Sequence, residues 1–377
     1  MAASLTDLNM RICRAAMSSL IEYEWYKVPC GQSRHPPGNF QVEFCMPKLL
    51  CFMDRLAKES YSELYPQPLW NQNRMVIPNP YRGPAHVFAR YLPDYINIVH
   101  DLPSECYYGE EIEIFLTICK EFNFPYKDRR FQNFFAAPAY ETQESYEEIR
   151  TTVNAFIKVL HTRLREPKTR KKILDRKRAV EKNCREFVHY LDTLFSRYAR
   201  LLVIRVDLGY WKDLDVGIEQ LAGDLEHLHG NMRHNKLFKN LLGYIEKIEF
   251  GVERRSHAHL LLLFDGSKHS HDSHIAKEIG EYWNKVITKG RGNYWNCNDP
   301  KYKRLFEEIN RLGIGLIHAQ ETELRENLKM VILYLCKSEQ YCKPITRLKM
   351  KLLRKGQCRS PAVKRGAPRT KTNHNYP

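Results

Sequence analysis

From residue 185 onward the apolar positions fall into two alternating rhythms. Phe187, Tyr190, Leu191, Leu194, Phe195 and Tyr198 recur at three- and four-residue spacing, which lines one face of a helix. Leu201 to Leu208 (LLVIRVDL) is a short, nearly continuous apolar run and reads as a mostly buried strand. Trp211 to Phe238 returns to helical spacing through Leu221, Leu225 and Leu228, with a break expected near Gly230. Leu241 to Phe250 (LLGYIEKIEF) and His257 to Phe264 (HAHLLLLF) read as two further strands. The tight polar connection Gly251 to Ser256 between them predicts a hairpin. Asp272 to Ile287 reads as a helix with Asp272 or Ser273 as its N-cap. Leu312 to Ile317 is a short strand with glycines, and Glu321 to Lys337 a long helix carrying Leu324, Leu328, Val331, Ile332 and Leu335. This order predicts an α+β domain: a ferredoxin-like antiparallel sheet with helices on one face.

The flanking stretches follow other patterns. Residues 1–150 are mixed and largely helical, rich in Tyr, Phe and Pro, with turn clusters at Pro36-Pro37-Gly38-Asn39 and Pro78-Asn79-Pro80. Glu110 to Glu121 reads as a helix there, and no catalytic motif is present. Residues 151–184 form a basic helical linker containing RLREPKTRKKILDRKR (Arg163 to Arg178), in which Pro167 marks a helix restart. Like charges at this density repel, so the stretch is either a solvated helix face or an element that tracks phosphates. The tail, 346–377, has no acid and is expected to be a disordered polycationic arm. The domain under the regular pattern is 185–345.

Charge sharpens the picture. Sixty Lys and Arg against 44 Asp and Glu give a net charge of +16, which calls for a polyanionic partner, nucleic acid before an acidic membrane surface. The 11 cysteines are odd in number and form no CxxC pair, which suits reduced thiols in a cytoplasmic protein. Asp7, Glu22 and Glu24 break any secretory signal in Met1 to Lys27, and runs such as Leu260 to Phe264 are too short to cross a bilayer. No P-loop is present, so a built-in helicase motor is not expected.

His257 and His259 stand two residues apart on a strand, so their rings share one face. Glu249 comes level with them across the hairpin in a suitable register, and Glu253 in the turn competes for that place. Two imidazoles and a carboxylate suit a divalent ion such as Mg²⁺ or Mn²⁺. Asp207 either orients a ligand histidine or caps the next helix. His269, His271 and His274 share no face and read as surface or capping residues. Tyr334 and Lys337 (YLCK) share a face of the last helix, as a nucleophile with an ammonium beside it or as core packing. Tyr341 is a rival nucleophile. In TKGRGNYWNCN (Thr288 to Asn298), Lys289 and Arg291 can hold phosphates while Tyr294 and Trp295 stack on unpaired bases; a structural loop is the alternative.

The segments RVDLGY, EFGVERRSHAHLLLLFDGS, IGEYWNKVITKGRGNYWNCN, GIGLI and ENLKMVILYLCKSEQY occur in this order. Together they resemble the YagK/YfjJ-like prophage family of inovirus gene II-type replication proteins, in the HUH endonuclease superfamily. The resemblance covers roughly residues 185 to 345. It implies that His257 and His259 hold the metal and that Tyr334 attacks a phosphodiester. That attack leaves a 5′-phosphotyrosine and a free 3′ hydroxyl for rolling-circle synthesis. It also implies single-stranded or origin DNA, a host helicase and a host polymerase as partners in a bacterial cytoplasm. A catalytically silent DNA-binding regulator, and an HUH transposase or relaxase, share the same pattern.

Overall fold

The computed structural model describes residues 40–60, 64–65, 67, 69–71, 74–76, 91–99, 102, 106–124, 143–251, 255–337, 342–344 and 350–357. The first part holds α1 (Phe40–Lys58), the β1 (Leu69–Asn71) and β2 (Arg74–Val76) hairpin, α2 (Leu92–Ile98), β3 (Cys106–Tyr108), α3 (Glu110–Phe122) and α4 (Gln143–Arg165). Phe52, Tyr95, Phe115 and Phe156 are fully buried in its core. Helix α5 (Pro167–Arg197) then opens at Pro167, whose missing N–H is no loss at a first helical position.

The second part runs β4 (Arg200–Tyr210), α6 (Ile218–Met232), β5 (Leu241–Gly251), β6 (Arg255–Asp265), α7 (Asp272–Tyr282), β7 (Gly292–Asn296), α8 (Pro300–Glu307), β8 (Gly315–His318), α9 (Thr322–Lys337), β9 (Cys342–Pro344) and β10 (Leu353–Lys355). Its antiparallel sheet has the order β10-β5-β6-β4-β7, with β8 sharing the β4 edge. The four strands β5-β6-β4-β7, with α6 and α7 as crossovers, form a ferredoxin-like arrangement, but its fourth strand is β7, where the pattern expects Leu312 to Ile317.

The near-continuous apolar strands bury both of the sheet's faces. Leu202, Ile204, Val206, Leu260 and Leu262 pack under α6 and α7, the expected helical layer. The other face is covered too: Leu201, Val203, Ile245, Leu261 and Leu263 pack against α5 and α9. Helices therefore lie on two faces rather than one, because every second residue of these strands is also apolar.

Four local expectations change. The first crossover helix starts at Ile218 rather than Trp211 and runs through the exposed Gly230 to Met232. A glycine weakens a helix by about 1 kcal/mol, too little to end one that buries Leu221, Leu225 and Leu228. Asp272 does not cap its helix; its carboxylate takes Lys303 Nζ at 2.7 Å and Asn298 Nδ2 at 3.0 Å. The α-helix ends at Tyr282 and continues as one π-turn, Trp283–Ile287. The tail is not wholly an open arm: Leu353 is buried, β10 pairs with β5, and Arg354 Nε donates to the fully buried Glu246 at 2.8 Å. Leu352 and Leu353 supply apolar area that the basic composition around them conceals. Residues 358–377 lie outside the described part. Among the described residues no helix is long and apolar enough to cross a membrane.

Candidate metal and nucleophile site

The hairpin register settles which residues can meet. Glu249 stands directly opposite His257, and His259 lies between Lys247 on one side and Asp207 on the other. All five point to the face that α5 and α9 cover. Ala258, Leu260 and Leu262 point to the opposite core.

His257 and His259 are nearly buried, and their rings are 5.0 Å apart, edge to face. His257 Nδ1 sits 3.0 Å from the carbonyl of Arg255, a partner that needs the proton on Nδ1 and leaves Nε2 a lone pair. Nε2 of His257 is 3.6 Å from Glu249 Oε2, and Nε2 of His259 is 3.2 Å from the same oxygen. His259 Nδ1 lies 2.8 Å from Asp207 Oδ1 as an ion pair and 3.4 Å from Arg205 Nη2, so Asp207 holds the ring from behind instead of capping α6. One ligand atom each from Glu249, His257 and His259 lies within 4.8 Å of the others.

The electrostatics keep Glu249 and His259 charged. Burial alone would raise the Glu249 carboxyl, but the imidazoles of His259 and His257 hold it well below the usual range. Burial would lower His259; Asp207 and Glu249 outweigh it and push the ring up to about 9. Glu249 Oε1 is buried without a hydrogen-bond partner among the described residues. A donor set of two imidazole nitrogens and one carboxylate, each histidine fixed through its other nitrogen, fits a divalent ion. The orphaned oxygen is what such an ion would satisfy.

Tyr334 reaches this cluster from α9. Its ring centroid is 6.3 Å from that of His259, and it is half-buried against the α5–α9 core. Arg205, which the motif reading passed over, joins the two. Its Nε donates to Asp207 Oδ1 at 3.1 Å, and its guanidinium carbon is 5.6 Å from the Tyr334 ring centroid. Burial opposes its charge, but Asp207 raises its pKa further still. The signal for Arg205 was a charge inside the apolar run LLVIRVDL, two residues from Asp207 and so on the same face; Lys247 in LLGYIEKIEF is a second such case.

The other expected residues separate. Lys337 ends α9, but its side chain lies outside the described part, as do Glu253 and Tyr341. His269 faces Lys239 O at 2.9 Å, while His271 and His274 are exposed. The segment expected as one DNA-binding loop is strand β7 and the turn before it. Lys289 and Arg291 are exposed in that turn, and Arg291 Nε donates to Thr288 O at 3.2 Å. Tyr294 packs into the α6–α7 core over Gly280 and donates to Glu281 at 2.9 Å, so its ring is not available to a base. Trp295 points the other way, opposite Asp207 in register, and is 54% exposed.

No curated protein and no solved structure matches the chain. The stretch that carries β4 to β8, the His-x-His strand among them, and the Tyr334 helix does have a likeness: residues 162–343 match the family model of the YagK/YfjJ C-terminal domain.

Proposed function

We propose that β4 to α9 form an HUH-type, metal-dependent endonuclease and strand transferase acting on single-stranded or origin DNA. In this reading it starts rolling-circle replication of a phage or plasmid element, as inovirus gene II-type proteins do, with a host helicase and polymerase completing the work. One observation carries the reading: Tyr334 sits 6.3 Å, ring to ring, from a histidine that shares a 4.8 Å ligand cluster with His257 and Glu249. Glu249, His257 and His259 would hold Mg²⁺ or Mn²⁺, which when bound supplies Lewis-acid polarisation of a phosphodiester. The Tyr334 hydroxyl attacks phosphorus. An Oη–P bond forms as the P–O3′ bond breaks, and the phenol proton ends on the released 3′ oxygen. Asp207 keeps His259 in place. Arg205 sets positive charge beside the phenol as it loses its proton.

The test is a nicking assay on end-labelled single strands tiled across the host element, with Mn²⁺ and with chelator, on a denaturing gel that retains adducts. A metal-dependent covalent adduct is expected, absent in Tyr334→Phe. An adduct that persists in that variant moves the nucleophile to Tyr341. A second reading, a catalytically silent DNA-binding regulator, draws on the way His259 is already paired on both nitrogens, by Asp207 and Glu249. It gains if no tile is cut while DNA is still bound.

A further inference from the structure

A row of side chains crosses the sheet at the level of the site. Lys247, His259, Asp207 and Trp295 are successive cross-strand neighbours on β5, β6, β4 and β7. Trp295 is thus two strand spacings from His259, roughly 10 Å. Its indole lies at the end of the row and is 54% exposed, on the last strand of the sheet. Tyr302 of α8 meets it edge-on, with centroids 5.8 Å apart at 80°, and Phe306 backs Tyr302 at 5.1 Å. Tyr302 is anchored against the α5–α9 core. This perpendicular contact comes from one side, so it braces the ring while more than half of its surface stays open to solvent. A tryptophan braced in this way offers a rigid apolar ring with a polar edge, the kind of residue enriched at contact surfaces.

We propose that Trp295 is a stacking platform for one unpaired base, next to the phosphate held at the His257–His259–Glu249 cluster. This rests on the nicking reading for the identity of that phosphate, and it adds the form of the substrate. Charge complementarity selects the occupant: the chain carries +16, and Lys289 and Arg291 stand exposed in the turn that leads into the same strand. A span of about two strand spacings is short enough for a neighbouring nucleotide to bridge. Only an unpaired base can turn its face to the indole; in a duplex both faces are stacked already. Trp295 therefore selects single-stranded DNA over duplex, and Tyr294, its equal in sequence, does not take part.

The experiment uses the full chain in chelator, so that no cleavage occurs. A labelled oligo-dT, the same length of duplex, and a set of strands each with one abasic position are titrated by anisotropy. Trp295→Ala is expected to weaken the single strand by roughly 10- to 100-fold and to leave duplex affinity unchanged. Trp295→Phe should recover most of the loss. One abasic position should weaken wild type by a similar factor and have no further effect in Trp295→Ala. Equal single-strand affinity for wild type and Trp295→Ala, or an equal loss on duplex, overturns the proposal, as does a wild type that binds no single strand. If the Trp295 effect appears but the metal-loaded protein forms no adduct, the platform stands and the nicking reading falls. If adducts form but Trp295→Ala binds normally, the reverse holds.

Discussion

Two carboxylates three residues apart on β5, one buried and one half-buried, are treated in opposite ways. Glu246 points into the α6 side of the sheet and is fully buried. Arg354 Nε bonds one of its oxygens at 2.8 Å, while the other, 2.9 Å from His229 Nε2, has no hydrogen-bond partner among the described residues. Glu249 points to the other face. It meets two imidazoles through a single oxygen and keeps the second without a donor. A guanidinium keeps its charge, so Glu246 is neutralised by a fixed partner. Imidazoles can give up their protons, so the same acid faced by them stays open to a cation. One strand thus builds a rivet and a receptor from the same residue type.

The contrast can be broken from either side. The largest expected effect is on the rivet. Glu246→Ala removes the buried acid that Arg354 Nε holds, leaves Arg354 only the exposed Glu226 as a partner, and should destabilise the fold by about 3 kcal/mol in urea melts, with Mn²⁺ uptake unchanged. On the receptor side, Asp207→Asn removes the negative charge behind His259 and lets an amide N–H face the ring, so the proton is no longer held on Nδ1. It should weaken Mn²⁺ binding roughly 10- to 100-fold by electron paramagnetic resonance titration. If Asp207→Asn binds Mn²⁺ like wild type, Asp207 has no hold on the ligand.

Proton linkage gives a third test. His259 sits at about 9 in the fold, above its unpaired value of 6.5. In the metal-free protein the charged ring therefore contributes stability that is fully present below pH 6.5 and is lost as pH rises through about 9. A metal needs the neutral ring, so apparent Mn²⁺ affinity should climb by about tenfold per pH unit across that window, with a proton released on binding. A flat affinity would remove His259 from the ligand set. The smallest effect belongs to Tyr294→Phe. Losing its bond to Glu281 should lower stability by about 1 kcal/mol or less and leave single-strand affinity unchanged.

Strands β4 to β6 were legible because their apolar runs and two-residue spacing have one reading. Parity alone puts His257 and His259 on one face, whereas Glu249 needs the hairpin register and Asp207 has two readings until its strand is paired with theirs. Strand β7 was not legible. Gly292, Asn293 and Asn296 look like a loop, and Gly292 is there for close packing: a side chain would strike Thr288 Oγ1 and the Trp283 indole. The pairing with β4 makes it a strand, and that partner is more than 80 residues earlier in the chain. The same blindness joined Tyr294 to Trp295, which alternation then sends to opposite faces. Arg205 was missed because motif spacing looks for ligands and not for the charge between them.

Helix α5 is roughly 46 Å of continuous backbone. Ile173 near its start is buried in the first core, while Val180 to Phe195 are buried in the second. Lys177 also pairs with Asp54 of α1 at 2.8 Å. Neither core can melt without stripping apolar residues from a helix that the other still needs. The two should therefore share a single calorimetric transition, and a lesion in the first core should be felt as lost heat tolerance at the histidines.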